Sequence, residues 1–328
     1  MALLRALTRS MERVPDTTTR NARDEDNRIQ LRDGRFLGYS ESGDPNGAPV
    51  LFLHGFGTTR VICPPDSAAR QLGLRLIAVD RPGLGLSTPL PGRRLLDWPP
   101  DVVEFADALG LEKFSIVGWS GGGPYALACG RVLSDRVTSI ALVSGAAPLA
   151  KTTRTDYLRR FDRNAVIVAG KAPWVVRLAM WHWGRGQRRD AEAFFEKSLA
   201  EMCAADQEVL SEPRLRSRMI ANSAELYRQG GRGMYDEALV LARPWGFDPA
   251  EIRVPVEIWH GARDEVVPFG MSAHLAELIP GAHLRVFPEE GHHLLYRVWP
   301  DILRSLAERP EAPAVQASPL LTTELSQA

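Results

Sequence analysis

A serine stands within a run of glycines near the middle of the chain. The residues Gly118-Trp119-Ser120-Gly121-Gly122 match the pattern G-x-S-x-G. A short apolar run, Phe114 to Val117, precedes them, and a helical pattern of apolar residues continues to Val132. The pattern predicts a strand, a tight turn and a helix, with the Ser120 hydroxyl exposed at the carboxyl end of the strand. A glycine-rich turn can also bind a phosphate, although this run lacks both G-x-G-x-x-G and a Gly-Lys-Ser/Thr ending. Whether Ser120 is a nucleophile therefore depends on whether suitable partner residues occur elsewhere in the chain.

Two residues further along the chain have the types that a nucleophilic serine requires. A serine hydroxyl is a weak nucleophile at neutral pH, so it needs a base beside it and a third group that orients the base. Asp264 follows a predicted strand at Val256 to Trp259, and His292 follows Gly291 after a predicted strand at His283 to Phe287. The order Ser, Asp, His is the order expected for a serine in such a turn. We therefore predict a nucleophile at position 120, an orienting carboxylate at 264 and a base at 292.

Strand-like and helix-like patterns alternate over most of the chain. The remaining predicted strands lie at 28–31, 35–40, 50–53, 74–79 and 139–143, and the first two flank the hairpin signal Asp33-Gly34. Predicted helices lie around 66–72, 100–109, 122–132, 271–279 and 298–307. This alternation predicts an α/β fold with a mostly parallel central sheet that helices cover on both faces.

The alternation stops between residues 147 and 249. No clear strand pattern occurs there, and helical patterns rich in Trp and Met replace it, so we predict a helical cap insertion at 147–249 that covers the sheet. Its Trp and Met side chains are expected to pack within the insertion. The core then comprises 26–146 and 250–308, between a flexible N-terminal arm at 1–25 and a disordered tail at 309–328.

Composition narrows the class of partner. Lys plus Arg and Asp plus Glu are both 40 in 328 residues, so no broad basic field favours nucleic acid or an anionic membrane. The three cysteines are widely spaced, which indicates neither a disulfide framework nor a metal site. Arg5 and Arg9 interrupt the first apolar run, so no signal peptide is predicted, and the expected location is cytoplasmic. We expect a small-molecule substrate, no cofactor and no metal, while the oligomeric state stays open.

Several motifs together resemble the α/β-hydrolase fold family. They are HGFG at 54–57, DRPGLGLS at 80–87, GWSGG at 118–122, HGARDEVVP at 260–268 and EGHH at 290–293, and they extend over nearly the whole chain. In that family two backbone amides bind the oxyanion, and the matching positions here are Phe56 and Gly121. His54 is expected to shape the loop, and Asp80 and Ser87 are interpreted as structural. Asp264 is preferred to Glu265 as the orienting carboxylate, because a side chain one step further along the turn would point elsewhere. The resemblance places the base at His292 and not at His293.

The resemblance implies a serine hydrolase that cleaves an ester or related acyl bond of a small, hydrophobic substrate. Ser120 argues against the epoxide hydrolases and haloalkane dehalogenases of this fold, which use a carboxylate there. Proline aminopeptidases, carbon–carbon bond hydrolases, haloperoxidases and lactonases keep the serine and stay open. A proline aminopeptidase would need acidic cap residues, for which Glu192, Glu196, Glu201 and Glu225 are candidates. A ligand receptor that retains the triad is the alternative from another class.

Overall fold

Eight strands form one sheet in the part of the chain that the structure describes. The structure is a computed structural model that describes residues 27–149 and 160–308. The strands are β1 Asn27–Gln30, β2 Phe36–Gly43, β3 Ala48–Leu53, β4 Leu74–Val79, β5 Phe114–Trp119, β6 Val137–Val143, β7 Val256–Gly261 and β8 His283–Phe287. Their order in the sheet is β1-β2-β4-β3-β5-β6-β7-β8. The predicted arm at 1–25 and tail at 309–328 lie outside the described residues.

The sheet is mostly parallel, as predicted. The pairs β1–β2 and β2–β4 are antiparallel, and every pair from β4–β3 to β7–β8 is parallel. All residues of β5 and β7 are buried, because helices cover both faces of a parallel sheet and leave no polar side for alternation. The carboxyl ends of β3, β5 and β7 therefore meet at one edge, where the motifs found in the sequence follow them.

Five helices cover the two faces of the sheet. They are α1 Ser67–Gln71, α2 Trp98–Ala108, α3 Gly123–Val132, α10 Phe269–Leu278 and α11 Trp299–Ala307. Residues of α2, α3 and α10 pack with the sheet in one apolar cluster, and residues of α1 and α11 pack with it in a second. The sheet thus lies between two helical layers, which fix the directions of the loops at its carboxyl edge.

Between β6 and β7, the described residues 160–242 form six helices. They are α4 Arg160–Lys171, α5 Pro173–Arg189, α6 Ala191–Ala200, α7 Ala204–Leu210, α8 Pro213–Leu226 and α9 Arg232–Ala242. We call residues 160–242 the helical insertion. The predicted division into core and cap at 147 and 249 stays a prediction. No helix among the described residues is both long and apolar enough to cross a bilayer.

The expectation that the Trp residues of the insertion pack inside it is wrong for Trp174 and Trp181, and Trp183 is also 39% exposed. Trp245 is 4% exposed, but Trp174 is 67% exposed and Trp181 is 52% exposed. Both belong to α5, whose buried positions are Gly184 and Gln187. Trp174 and Trp181 are seven residues apart and therefore share one face, which turns away from the buried side. Composition alone does not tell which face of an apolar helix packs inward.

Candidate active site

Ser120 occupies a strained turn between β5 and α3. Its φ of 53° lies in the left-handed region, which a non-glycine residue rarely adopts. The neighbouring strand β3 approaches this turn closely, since a Cβ on Gly122 would lie 2.1 Å from the carbonyl oxygen of Leu53. A Cβ on Gly118 would lie 2.7 Å from the Cβ of Ala126. The glycines of G-x-S-x-G therefore permit the turn that presents the serine.

His292 connects the serine to Asp264. The Nδ1 of His292 lies 2.8 Å from Asp264 Oδ2, and its Nε2 lies 3.0 Å from Ser120 Oγ. A carboxylate only accepts, so Nδ1 carries the proton and Nε2 accepts from the serine hydroxyl. All three residues are less than a tenth exposed. The chain thus brings together three side chains from three loops at the carboxyl edge of the sheet.

Asp264 is ionised in this environment. Burial by itself raises the pKa of Asp264, but the charge and hydrogen bond of His292 and the amide of Val267 outweigh burial and place the pKa below its usual value. The second carboxylate oxygen accepts from the amides of Val266 and Val267 at 2.8 and 2.7 Å. The neighbouring Glu265 is exposed. The carboxylate that faces His292 is therefore the one at position 264.

The His293 ring binds a different carboxylate. Its Nδ1 lies 3.2 Å from Oδ1 of Asp206, which belongs to α7 of the insertion. Burial lowers the pKa of His293, so the ring is neutral at pH 7. Of the two adjacent histidines, His292 contacts Ser120.

The two backbone amides expected to bind an oxyanion lie side by side. Phe56 follows β3, and Gly121 follows the serine. A Cβ on Gly121 would lie 2.9 Å from the amide nitrogen of Phe56. No acceptor for the Phe56 amide is found within residues 27–149 and 160–308. Gly121 therefore packs directly against the Phe56 backbone, and a shared oxyanion site at the two amides stays a prediction.

A buried arginine supports the loop that carries Phe56. Arg81 donates to the carbonyl oxygens of His54 and Gly55, and its Nε donates to Glu237 of α9 at 2.7 Å. Arg81 and Glu237 are both fully buried. Arg93 Nη2 also donates to Glu237, at 2.6 Å. This role of Arg81 could not be recognised from the sequence, where the residue is one member of the DRPGLGLS motif.

The same motif has the structural role expected for Asp80 and Ser87. Asp80 accepts from the amides of Arg60 and Leu86 at 2.7 and 3.0 Å. The Ser87 hydroxyl donates to the Asp80 carbonyl oxygen at 2.7 Å and accepts from the Gly38 amide at 2.9 Å. These contacts fix the loop after β4 against β2. Neither residue contacts Ser120.

Apolar side chains surround the paired amides. The Cδ1 of Leu241 would lie 3.3 Å from a Cβ on Gly121. The ring of Phe56 packs edge-on against Trp183, with centroids 6.4 Å apart. Leu241 belongs to α9 and Trp183 to α5, so the insertion supplies part of this wall. The surroundings of the amides are therefore partly apolar.

Other chemistry-bearing groups lie away from this site. Cys63 and Cys129 are buried, and burial raises the pKa of Cys63 to about 12, so its thiol stays protonated at neutral pH. Among the described residues, no three of His, Cys, Asp or Glu lie together in a way that could bind a metal ion.

Comparison with known proteins agrees with this architecture. The family model described as alpha/beta hydrolase fold matches residues 48–297. The chain is 28% identical to the pimeloyl-[acyl-carrier protein] methyl ester esterase of Chromobacterium violaceum, over 82% of this chain and 96% of that protein. It is 27% identical to the non-heme chloroperoxidase of Streptomyces lividans, over 81% and 93%. The esterase EaEST of Exiguobacterium antarcticum aligns with a TM-score of 0.67 at 23% identity, over 87% of this chain and all of the other. The protein thus belongs to the α/β-hydrolase fold family.

Proposed function

We propose that the protein is a serine hydrolase that cleaves an ester of a small, apolar substrate through an acyl-enzyme intermediate. The observation that carries this proposal is the 3.0 Å contact between Ser120 Oγ and His292 Nε2, with the serine in a left-handed turn. The esterases among its relatives support the reaction class. The cytoplasmic location and the lack of a nucleic-acid partner stay predictions from the sequence.

The geometry suits a two-step acyl transfer. Ser120 attacks the ester carbonyl carbon while His292 takes its proton, and the Asp264 carboxylate stabilises the imidazolium. The amides of Phe56 and Gly121 donate to the oxyanion of the tetrahedral intermediate. His292 then protonates the leaving alcohol, which yields the acyl-enzyme. A water molecule, deprotonated by His292, releases the acid and regenerates the serine.

The acidic residues considered for a proline aminopeptidase do not favour that activity. Glu192 and Glu196 both pair with Arg216, and all three lie at least one third exposed. Glu225 pairs with Arg60 at the other end of α8. A free amine would have to compete with these arginines for the carboxylates, so we favour the ester over the peptide substrate. The resemblance to a chloroperoxidase keeps a haloperoxidase activity of the same serine as a second candidate.

The test replaces the proposed nucleophile with alanine and uses the same substitution at another serine as the control. Ser120→Ala should abolish hydrolysis of p-nitrophenyl acetate and covalent labelling by a fluorophosphonate. Ser217→Ala, at an exposed serine that bonds only within α8, should retain both. Thermal unfolding of the two variants controls for folding. Undiminished hydrolysis by a folded Ser120→Ala variant contradicts the proposal.

The receptor alternative predicts a different result. A receptor would bind its ligand in the Ser120→Ala variant and change its affinity for a partner without turnover. Calorimetry with the best ester substrate and the Ser120→Ala variant separates binding from hydrolysis. A wild-type protein that binds such an ester for hours without cleaving it would favour the receptor.

A further inference from the structure

The backbone of His292 is fixed from two sides. From the core, Trp119 Nε1 and Ser144 Oγ donate to its carbonyl oxygen at 3.3 and 3.2 Å. From the insertion, Oδ2 of Asp206 accepts from its amide at 2.9 Å. The amide and the carbonyl of the same residue are thus held by different parts of the fold, and the insertion reaches the candidate base directly.

The Asp206 carboxylate is buried and accepts several hydrogen bonds. Its side chain is 1% exposed, and its Oδ1 also accepts from the amide of His293 at 2.6 Å. The His293 ring donates to Oδ1 through Nδ1 at 3.2 Å, and the Cys203 thiol donates to Oδ2 at 3.3 Å. Four donors therefore converge on one carboxylate that lies far along the chain from the histidines.

The loop before the histidine makes room for this carboxylate. A Cβ on Gly291 would lie 2.5 Å from Asp206 Oδ2 and 2.6 Å from Cys203 Sγ. Any side chain at position 291 would therefore push α7 away from the loop. This explains the glycine of the EGHH motif: without a side chain at position 291, the Asp206 carboxylate can reach the amides of His292 and His293.

The carboxylate is charged. Burial opposes ionisation, but the hydrogen bonds from the ring and amide of His293 and from the amide of His292 hold the pKa of Asp206 well below its usual value. Hydrogen bonds to a charged group are stronger than neutral ones, so the amides are held firmly.

We infer that Asp206 is a positioning residue of the insertion that fixes the His292 imidazole between Ser120 and Asp264. The inference rests on the function proposed above, since it assigns a role toward the base of that reaction. Displacement of a catalytic group by about 1 Å can cost ~10²-fold in rate, so a backbone clamp on the base matters for turnover. The insertion then covers the substrate and also completes the catalytic geometry.

The test compares variants at Asp206 with a variant of similar stability elsewhere in the insertion. Asp206→Ala removes all four contacts, and Asp206→Asn keeps the shape but turns an amide group toward one of the donors. Asp190→Ala is the control, because Asp190 caps α6 through the Ala193 amide. Unfolding in urea ranks the stabilities of all three.

The expected result is a loss in kcat with little change in KM. With p-nitrophenyl acetate, kcat should fall ~10- to 100-fold in Asp206→Ala and ~10-fold in Asp206→Asn, with KM within ~3-fold. The acid limb of the pH–rate profile of Asp206→Asn should move to lower pH by ~0.5 unit, because the imidazolium loses a neighbouring negative charge. Asp190→Ala should change stability without moving the profile.

A second readout does not depend on turnover. The NMR titration midpoint of the His292 ring should move in the same direction in Asp206→Asn, whether or not the protein hydrolyses an ester. An inactive wild-type protein would contradict the proposed function, while this titration would still test the clamp. An unchanged titration and an unchanged kcat in folded Asp206→Asn would overturn the inference. A loss in Asp190→Ala equal to that in Asp206→Ala at equal stability would also overturn it.

Discussion

Glu237 accepts a hydrogen bond from Arg81 at 2.7 Å, and both side chains are fully buried. Arg81 in turn donates to the carbonyl oxygens of His54 and Gly55, the two residues before Phe56. Glu237 belongs to α9 of the insertion, and Arg81 belongs to the loop after β4. The insertion therefore supports the candidate oxyanion loop through one buried ion pair.

Glu237→Gln should destabilise the protein strongly. Removal of one partner leaves the Arg81 charge buried with weaker compensation, which typically costs about 3–5 kcal/mol. Urea denaturation measures the loss in the free energy of unfolding. Glu192→Gln is the matched control, since its pair with Arg216 is exposed and is worth less than ~1 kcal/mol. Similar stabilities of the two variants would show that the buried pair contributes little.

Alanine at two glycines should shift thermal stability in opposite directions. Gly122→Ala places a Cβ 2.1 Å from the Leu53 carbonyl oxygen, and such overpacking costs about 1–3 kcal/mol. Gly170→Ala lies on the exposed side of α4 with nothing within 4 Å, and alanine there gains about 0.5–1 kcal/mol in a helix. Calorimetry should give a lower Tm for the first variant and a higher Tm for the second. A raised Tm for Gly122→Ala would contradict the close approach of β3 to the turn.

Stability should fall between pH 6.5 and pH 5. Burial lowers the pKa values of three histidines, His54, His260 and His293, below the usual value for histidine. In this pH range these rings therefore bind protons in the unfolded chain but not in the folded protein. The stabilisation is complete above about pH 6.5 and is lost as the pH decreases, by up to ~1.4 kcal/mol per pH unit for each histidine. The buried carboxylates Asp206 and Asp264 would lose their contribution only below about pH 4.

Urea denaturation at several pH values measures this slope. His260→Gln removes one titrating ring, whose Nε2 lies 3.4 Å from Asp264 Oδ2. The free energy of unfolding of this variant should therefore fall less steeply below pH 6.5. A free energy of unfolding that stays constant from pH 8 to pH 5 would show that these rings are protonated equally in both states.

Leu241→Ala should change acyl selectivity if the proposed function holds. Leu241 packs beside Gly121, so its truncation enlarges the space next to the candidate oxyanion amides. We expect the ratio of kcat/KM for p-nitrophenyl hexanoate to that for the acetate to rise ~10-fold, which is the effect of one or two methylenes in an apolar pocket. Leu239→Ala, on the same helix but in a separate apolar cluster, is the control. An equal change in both variants would indicate a general loosening of α9.

The fold was largely predictable because its signals are local. The apolar runs of β3, β5 and β7 and the turns after them can be recognised without knowledge of any distant contact. The antiparallel β1–β2 hairpin has its Asp-Gly turn in the sequence. Ser120, Asp264 and His292 each follow a predicted strand, and the parallel arrangement brings such positions to one edge. Their catalytic roles stay a prediction.

The sequence by itself determined the order of strands and helices in the sheet-bearing part of the chain. It also determined which three residues, Ser120, Asp264 and His292, form one line of hydrogen bonds. Only the tertiary structure decided which residues of the insertion support them. Asp206 and Glu237 are ordinary acidic residues on amphipathic helices, where a solvated carboxylate is the default expectation. Their burial depends on how α7 and α9 pack against loops that are 86 and 156 residues away. The same packing leaves Trp174 and Trp181 outside, because the period of a helix gives it faces but does not say which face turns inward.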